Sequence, residues 1–143
     1  MAASKTYLVP VDFSKGSEAA LKHAIKLARE SKSKLVLVHV LSTQVLYSPD
    51  ESFVSYADIL RKNAQENFKK LVKRMRLKPG EYRWILLLGG DTAGTIARQA
   101  KKFRASMIIM GSHGRTGLQR LLLGSVAERT LRYAQCPVLI VKK

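Results

Sequence analysis

Residues 34–41 read KLVLVHVL, a run in which apolar side chains occupy both alternating sets of positions and His39 is the one polar interruption after Lys34. A strand of that composition has no face to give to water, so it belongs in a sheet covered on both sides by helices, the setting of parallel strands. The rest of the chain fits the same plan. Short β-rich runs at 6–11, 82–88, 107–110 and 137–141 alternate with segments whose apolar residues recur at helical spacing. Ala20, Leu21, Ala24, Ile25 and Ala28 mark the first helix. Leu60, Ala64, Phe68, Leu71 and Met75 mark a long second one, with Lys62, Lys69, Lys73 and Arg76 on another side and Pro79 and Gly80 as its stop. Gly89, Gly90, Asp91 and Thr92 turn the third strand into a helix over 92–102, and a fourth helix covers 126–134. Residues 42–51 form a polar connection containing Pro49. Strands alternating with helices imply an α/β fold with a parallel sheet and right-handed crossovers.

At 143 residues the chain is expected to form one domain, 1–143, with a core that needs no covalent staples. The single cysteine, Cys136, rules out an intrachain disulfide. The opening MAASKTYLVP lacks an apolar stretch of signal-peptide length and no apolar run approaches membrane length, so the expected setting is cytoplasmic. Charge is the unusual quantity. Lys and Arg number 26 against 10 acidic residues, a formal net charge of +16, and residues 61–83 set their lysines and arginines against only Glu66 and Glu81. Such an excess can steer anions or hold nucleic acid, or form a solvated helix face.

The chemistry concentrates in MIIMGSHGRTGLQRLLLGS, residues 107–125. A buried strand stops at Gly111, Gly111 and Gly114 bracket a bend, and Gly124 and Ser125 open the fourth helix, giving the spacing GxxGx9GS. Glycines let backbone N–H groups approach an anion, and the first turn of a helix adds unpaired donors and the positive end of its dipole. Ser125 adds a hydroxyl. A Walker A loop is excluded because no lysine follows the last glycine, and a dinucleotide fingerprint because the glycines are spread too widely. Residue chemistry alone therefore leaves two readings, an anion site, a phosphate in the first instance, or a surface loop followed by a serine-capped helix.

The segment GSHGRTGLQRLLLGSVAERTLRYAQCPVLIV closely resembles the C-terminal signature of the universal stress protein family, whose nucleotide-binding members carry GxxGx9G followed by Ser or Thr. LVPVDFSKGSEAALKHAIKLA resembles the family's first strand and helix. The resemblance implies an open five-stranded sheet of order 3-2-1-4-5 with helices on both faces, of the Rossmann-like, adenine nucleotide alpha hydrolase-like kind. In such a sheet the ligand sits beyond the carboxyl ends of strands one and four, where the winding reverses. It also implies an adenine nucleotide, ATP or else ADP or AMP, and a role in the stress response. Pro10, Val11 and Asp12 match the positions that meet the adenosine, and Val40 the position beside the base. Met110, Gly111, Gly114, Gly124, Ser125 and Val126 match the ribose and phosphate positions, with His113 inside the loop. The same positions have plainer readings, Asp12 as a helix cap and Val40 as strand packing.

No base stands out for efficient ATP hydrolysis, His113 being the weak candidate, so binding or slow turnover is expected. Mg²⁺ could accompany a triphosphate, with Asp12 the nearby carboxylate; three scattered histidines and one cysteine give no metal-ligand spacing. Arg115 and Arg120 in the spacer could clamp phosphate or face solvent. Cys136 reads as a packing residue. The apolar last strand, Val138 to Val141, is an edge that resemblance pairs with a second copy across a two-fold axis. An alternative function starts from charge: the basic face of the long helix with Lys101, Lys102 and Arg104 binding DNA or RNA backbone, or a protein partner, on a stress protein of another kind.

Overall fold

The computed structural model describes residues 5–43, 52–114 and 122–142, with residues 52–55 by backbone alone. Five strands and four helices alternate: β1 (Thr6–Pro10), α1 (Lys15–Ser31), β2 (Lys34–Ser42), α2 (Ser52–Met75), β3 (Tyr82–Gly89), α3 (Thr92–Lys102), β4 (Met107–Gly111), α4 (Ser125–Tyr133) and β5 (Val138–Val141). The strands form one sheet in the order β3-β2-β1-β4-β5, and all four pairings are parallel. Fold class and strand order agree with expectation. Most of the polar connection expected at 42–51, and the spacer arginines Arg115 and Arg120, lie outside the described residues.

Alternation along each strand divides the core into two layers. Tyr7, Val9, Val11, Leu35, Leu37 and Ile109 face α1 and α2. Leu8, Val36, Val38, Ile108 and Met110 face α3 and α4, where Ile96, Ala100 and Ala127 meet them. This explains the continuous apolar run at 34–41: Leu35 and Leu37 serve one layer, Val36 and Val38 the other, and all are buried. His39 breaks the run without breaking the core, because its Nδ1 lies 2.6 Å from the Val11 carbonyl oxygen. The first layer ends in an aromatic stack. The Trp84 ring lies parallel to Phe68 at 3.9 Å between centroids and parallel to His39 at 6.2 Å, and Phe13 tilts against His39 at 4.9 Å.

Two boundaries differ from expectation. The long helix ends at Met75, four residues before Pro79, and Arg76 is not on its face but in the left-handed region at φ 53°. Arg76 N–H then reaches the Lys73 carbonyl and Leu77 N–H the Val72 carbonyl, so local hydrogen bonding, not the proline, stops the helix. At the start of α1, where Asp12 with Ser14 or Ser17 is expected to supply the helix-start chemistry, the cap is Ser14, whose hydroxyl accepts from Ser17 N–H; the reading of Asp12 as the cap itself is corrected.

Glu81 fastens the turn before β3 to α1. Its carboxylate accepts from Arg29 at 2.8 and 3.1 Å and from the Lys78 backbone N–H at 2.7 Å. The Arg29 guanidinium first, and that amide second, hold the Glu81 pKa at about 2, below its ordinary 4.5. A carboxyl depressed on folding stabilises fully above its unfolded pKa and loses that contribution as pH falls through the folded one. Glu81→Gln should therefore lower the denaturant midpoint at about pH 7, and the gap from wild type should close progressively between about pH 4.5 and 2. Denaturant titrations across that range check this; a gap independent of pH would assign the loss to packing.

Candidate nucleotide site at the carboxyl edge

The sheet opens at one place. β1 and β4 pair through Tyr7 with Met107 and Leu8 with Ile108. Beyond that point β1 stays with β2, Pro10 opposite Val38 and Val11 N–H bonded to the Val38 carbonyl at 2.8 Å, whereas β4 stays with β5 as far as Gly111 opposite Val141. The crevice left between the two carboxyl ends is the point where the winding reverses, the usual ligand position in an open α/β sheet.

Backbone packed on backbone forms the floor of the crevice. A Cβ on Gly111 would stand 2.8 Å from the carbonyl carbon and oxygen of Gly16, and one on Gly16 would stand 2.7 Å from the His113 carbonyl oxygen. A Cβ on Gly124 would lie 3.2 Å from the Ser112 carbonyl oxygen and 3.3 Å from the His113 Cα. The start of the loop therefore passes between Gly16 and Gly124, and Gly124 N–H donates to the Ser112 carbonyl at 2.6 Å to pin it. Two of these three glycines, Gly111 and Gly124, came from the sequence motif. Gly16 did not; it lies in the first turn of α1, and nothing in the local sequence pointed to its remote partners Gly111 and His113. Chain packing by itself requires glycine at Gly16 and Gly111, before any ligand is considered, and is tight at Gly124, where a Cβ would need its backbone neighbours to give by a few tenths of an ångström.

Asp12 connects the two halves of the crevice. Its Oδ1 accepts from Ser14 N–H at 2.9 Å and from the Ser14 hydroxyl, and its own N–H donates to Ser17 Oγ at 3.1 Å. The carboxylate is thereby held in an Asx turn ahead of α1. The other oxygen, Oδ2, would lie 2.8 Å from a Cβ on Gly114, so Asp12 stands against the glycine loop. Between them in sequence, Phe13 takes φ 64°, a conformation strained for a bulky side chain. Its ring packs against His39 and, at 6.2 Å, Trp84, which offsets a cost of about 1–3 kcal/mol.

The remaining predicted residues divide by atom. Val11 is buried, with its N–H given to Val38 and its carbonyl meeting His39, and Met110 is buried in the layer under α3 and α4. Pro10 is half-buried at the end of β1. Val40 packs in the α3 and α4 layer, and its Cγ1 would lie 3.1 Å from a Cβ on Gly89. Thr95 approaches the same point, its Oγ1 2.6 Å from that Cβ position. Gly89 ends β3 and admits the side chain of Thr95, as a strand-ending glycine should. His113 is half-buried, with Nδ1 3.0 Å from Ser112 Oγ. Gly124 caps α4 and has no side chain to cover its first amides; Ser125 and Val126 are exposed there. Cys136 is half-buried against the α3 and α4 layer, and burial pushes its thiol pKa up, away from reactive thiolate character.

A nucleotide fits this set of groups. An exposed helix N-terminus capped by glycine can meet phosphate through Ser125, Val126 and the Gly124 end of the loop. The pinned Ser112–Gly114 segment supplies more backbone, and the exposed Gly114 faces Asp12. Among the described residues no three His, Cys, Asp or Glu side chains gather as a metal site, and no helix is long and apolar enough to cross a membrane.

Comparison with known proteins agrees with this geometry. The family model described as "Universal stress protein family" matches residues 4–142. Universal stress protein MJ0531 of Methanocaldococcus jannaschii is 39% identical over 141 residues, covering 97% of this chain and 82% of that protein. The structure of hypothetical protein MJ0577 superposes with a TM-score of 0.88 at 30% identity, covering 99% of this chain and 98% of that one. A universal stress protein from Archaeoglobus fulgidus, solved in complex with dAMP, shares the fold at 24% identity with a TM-score of 0.67, covering 99% of this chain and all of that one. With a family model matched over residues 4–142, a relative 39% identical across nearly the whole chain and the sheet order in agreement, this chain belongs to the universal stress protein family.

Proposed function

We propose that the crevice between β1 and β4 binds an adenine nucleotide, ATP in the first instance, and that the protein acts in the stress response by binding rather than by efficient turnover. The observation that carries this reading is the meeting, at the one opening of the sheet, of the pinned Ser112–Gly114 segment with the glycine-capped N-terminus of α4. The nucleotide complex of the Archaeoglobus fulgidus relative is consistent with it. The phosphates lie at Gly114, Gly124, Ser125 and Val126, the ribose near Met110 and Gly111, and the adenosine end near Pro10, Val11, Asp12 and Val40. For Met110 and Val11, whose side chains are buried, the contact is through backbone. Were a triphosphate to bring Mg²⁺, Asp12, whose carboxylate stands against Gly114, is the residue that would help hold it, and the ion would offset phosphate charge. Hydrolysis would need a base at the γ-phosphate; the imidazole of His113 is already engaged with Ser112.

Calorimetric titration with ATP, ADP and AMP, beside mass spectrometry of small molecules released on denaturing the purified protein, tests this. Gly114→Val pushes a branched side chain into the space between loop and Asp12 carboxylate. It should weaken ATP at least tenfold, about 1.4 kcal/mol, with the far-ultraviolet dichroism unchanged. Undiminished affinity would remove the glycine loop from the site.

The β5 edge is the proposed dimer contact. Ile108 N–H bonds to the Pro137 carbonyl and Ser112 N–H to the Val141 carbonyl, so by alternation the backbone groups of Val138 and Ile140 point to the open edge. Leu139 and Ile140 side chains pack into opposite core layers, so a change of side-chain charge there would disturb the core as well. Ile140→Pro instead deletes an outward N–H. Sedimentation should show wild type as a dimer and this variant shifted to monomer; a dimer that survives the change places the contact elsewhere.

A further inference from the structure

The three helices that lead into β2, β3 and β4 stop in the same way. After α1, α2 and α3 the chain passes through a left-handed residue, Lys32 at φ 53°, Arg76 at 53° and Arg104 at 50°. The amide after it then donates back five residues: Ser33 to Ala28 at 2.8 Å, Leu77 to Val72 at 3.1 Å and Ala105 to Ala100 at 2.8 Å. This is the Schellman ending, in which the left-handed position is ordinarily glycine or asparagine because a Cβ is strained there. Here all three are long, exposed cations. α4, which leads into the edge strand, ends without a left-handed residue.

Helix dipoles do not explain the choice. The last turns already carry Arg29 on α1, Lys73 and Arg74 on α2, and Lys101 and Lys102 on α3. Nor does ion pairing: Glu81 is taken by Arg29 and Glu18 by Arg74, and among the described residues Lys32, Arg76 and Arg104 make no ion pair. The three turns are neighbours along one edge. Leu35 N–H bonds to the Glu81 carbonyl, Lys34 N–H to the Lys5 carbonyl and Ser106 N–H to the Thr6 carbonyl, tying together the amino ends of β3, β2, β1 and β4. Exposed Lys5 and Lys34 therefore fill the row between Arg76 and Arg104. A groove between α1 and α2, lined by Lys22, Lys26, Arg74 and Arg76 with Glu30 as its one acidic group, runs into it at Arg29, beside Glu81.

We propose that this amino edge is a binding surface for the sugar-phosphate backbone of nucleic acid, at the opposite end of the sheet from the nucleotide crevice. Four adjacent strands span on the order of 14 Å, and a duplex presents about eight phosphate charges over that length. A row of point charges suits such a target. A protein partner would need an apolar anchor, and none of the exposed large apolar side chains among the described residues, Leu122 and Tyr133 included, lies on the three turns. Among the described residues no exposed aromatic ring lies on the three turns to stack a base, and cations in an exposed row meet phosphate first, so the contact is to backbone and indifferent to sequence. The charge noted at 61–83 contributes through the end of α2 and its turn, and the exposed middle of the helix is not part of the surface.

The test is fluorescence anisotropy with a labelled, mixed-sequence DNA duplex from about 50 to 200 mM salt. Wild type should bind with a steep salt dependence. The triple variant Lys32→Gly, Arg76→Gly, Arg104→Gly places the customary residue at each turn, so its thermal midpoint should hold or rise. Its affinity should fall at least tenfold and its salt slope by roughly three. If it folds poorly, the same three changes to asparagine keep the left-handed turns and give the same loss. A control of equal charge change, Lys62→Gln, Lys69→Gln, Lys70→Gln on the exposed face of α2, should bind nearly as wild type does. The proposal is overturned if wild type does not bind, if the glycine and asparagine variants bind undiminished, or if the control loses as much. Displacement by polyglutamate as readily as by unlabelled duplex would overturn it in favour of an acidic protein surface. ATP titration of the triple variant reports separately on the crevice and should be unchanged.

Discussion

α1 can lie across the end of β4 because neither Gly16 nor Gly111 carries a side chain. That contact sets the geometry of the whole carboxyl edge. It carries the His113 backbone over the first turn of α1, which places Gly114 against Asp12 and brings Gly124 down onto Ser112. A methyl group at either glycine would meet carbonyl atoms nearer than 3 Å, and neither backbone segment can yield, since one is a helix start and the other a strand end. The parting of β1 from β4 and the course of the loop above it thus rest on one glycine pair that brings together residues nearly a hundred positions apart.

Much of this was legible in advance, for physical reasons that differ by element. Strands buried on both faces leave a composition that only a covered parallel sheet tolerates, as at Leu35 to Val38. The motif glycines were legible by spacing, though spacing alone suggested room for a ligand where Gly111 and Gly124 make room for the chain itself. Gly16 escaped notice because its partner is remote in sequence. The left-handed turns escaped for a different reason. Helix ends are usually read from glycine or asparagine, and SKSK, MRLK and KFRA contain neither, so the sequence points to Pro79 and Gly80 for the end of α2 and leaves Arg76 on the helix. Phe13 gave no hint of its positive φ, because the compensation comes from rings on β2 and β3.

The two edges of the sheet divide the electrostatic roles. At the carboxyl edge, phosphate would be met by neutral backbone dipoles at the start of α4, a compact and directional arrangement. At the amino edge, the negative ends of three helices are overlaid by full cationic charges on long side chains, which reach outward and screen with salt. In a chain of net charge +16, backbone dipoles at the carboxyl edge and long cationic side chains at the amino edge thus stand at opposite ends of one sheet.

The aromatic stack on the α1 and α2 side has a spectroscopic consequence. Trp84 is the only tryptophan in the chain, and it stands between Phe68 and His39 in the layer that Phe13 closes. Intrinsic tryptophan emission from this protein is thus the signal of one half-buried indole, whose ring also meets Phe13 of the strained turn that follows Asp12. Any rearrangement of that turn that lifts Phe13 from His39 changes the environment of the emitter without a label being attached.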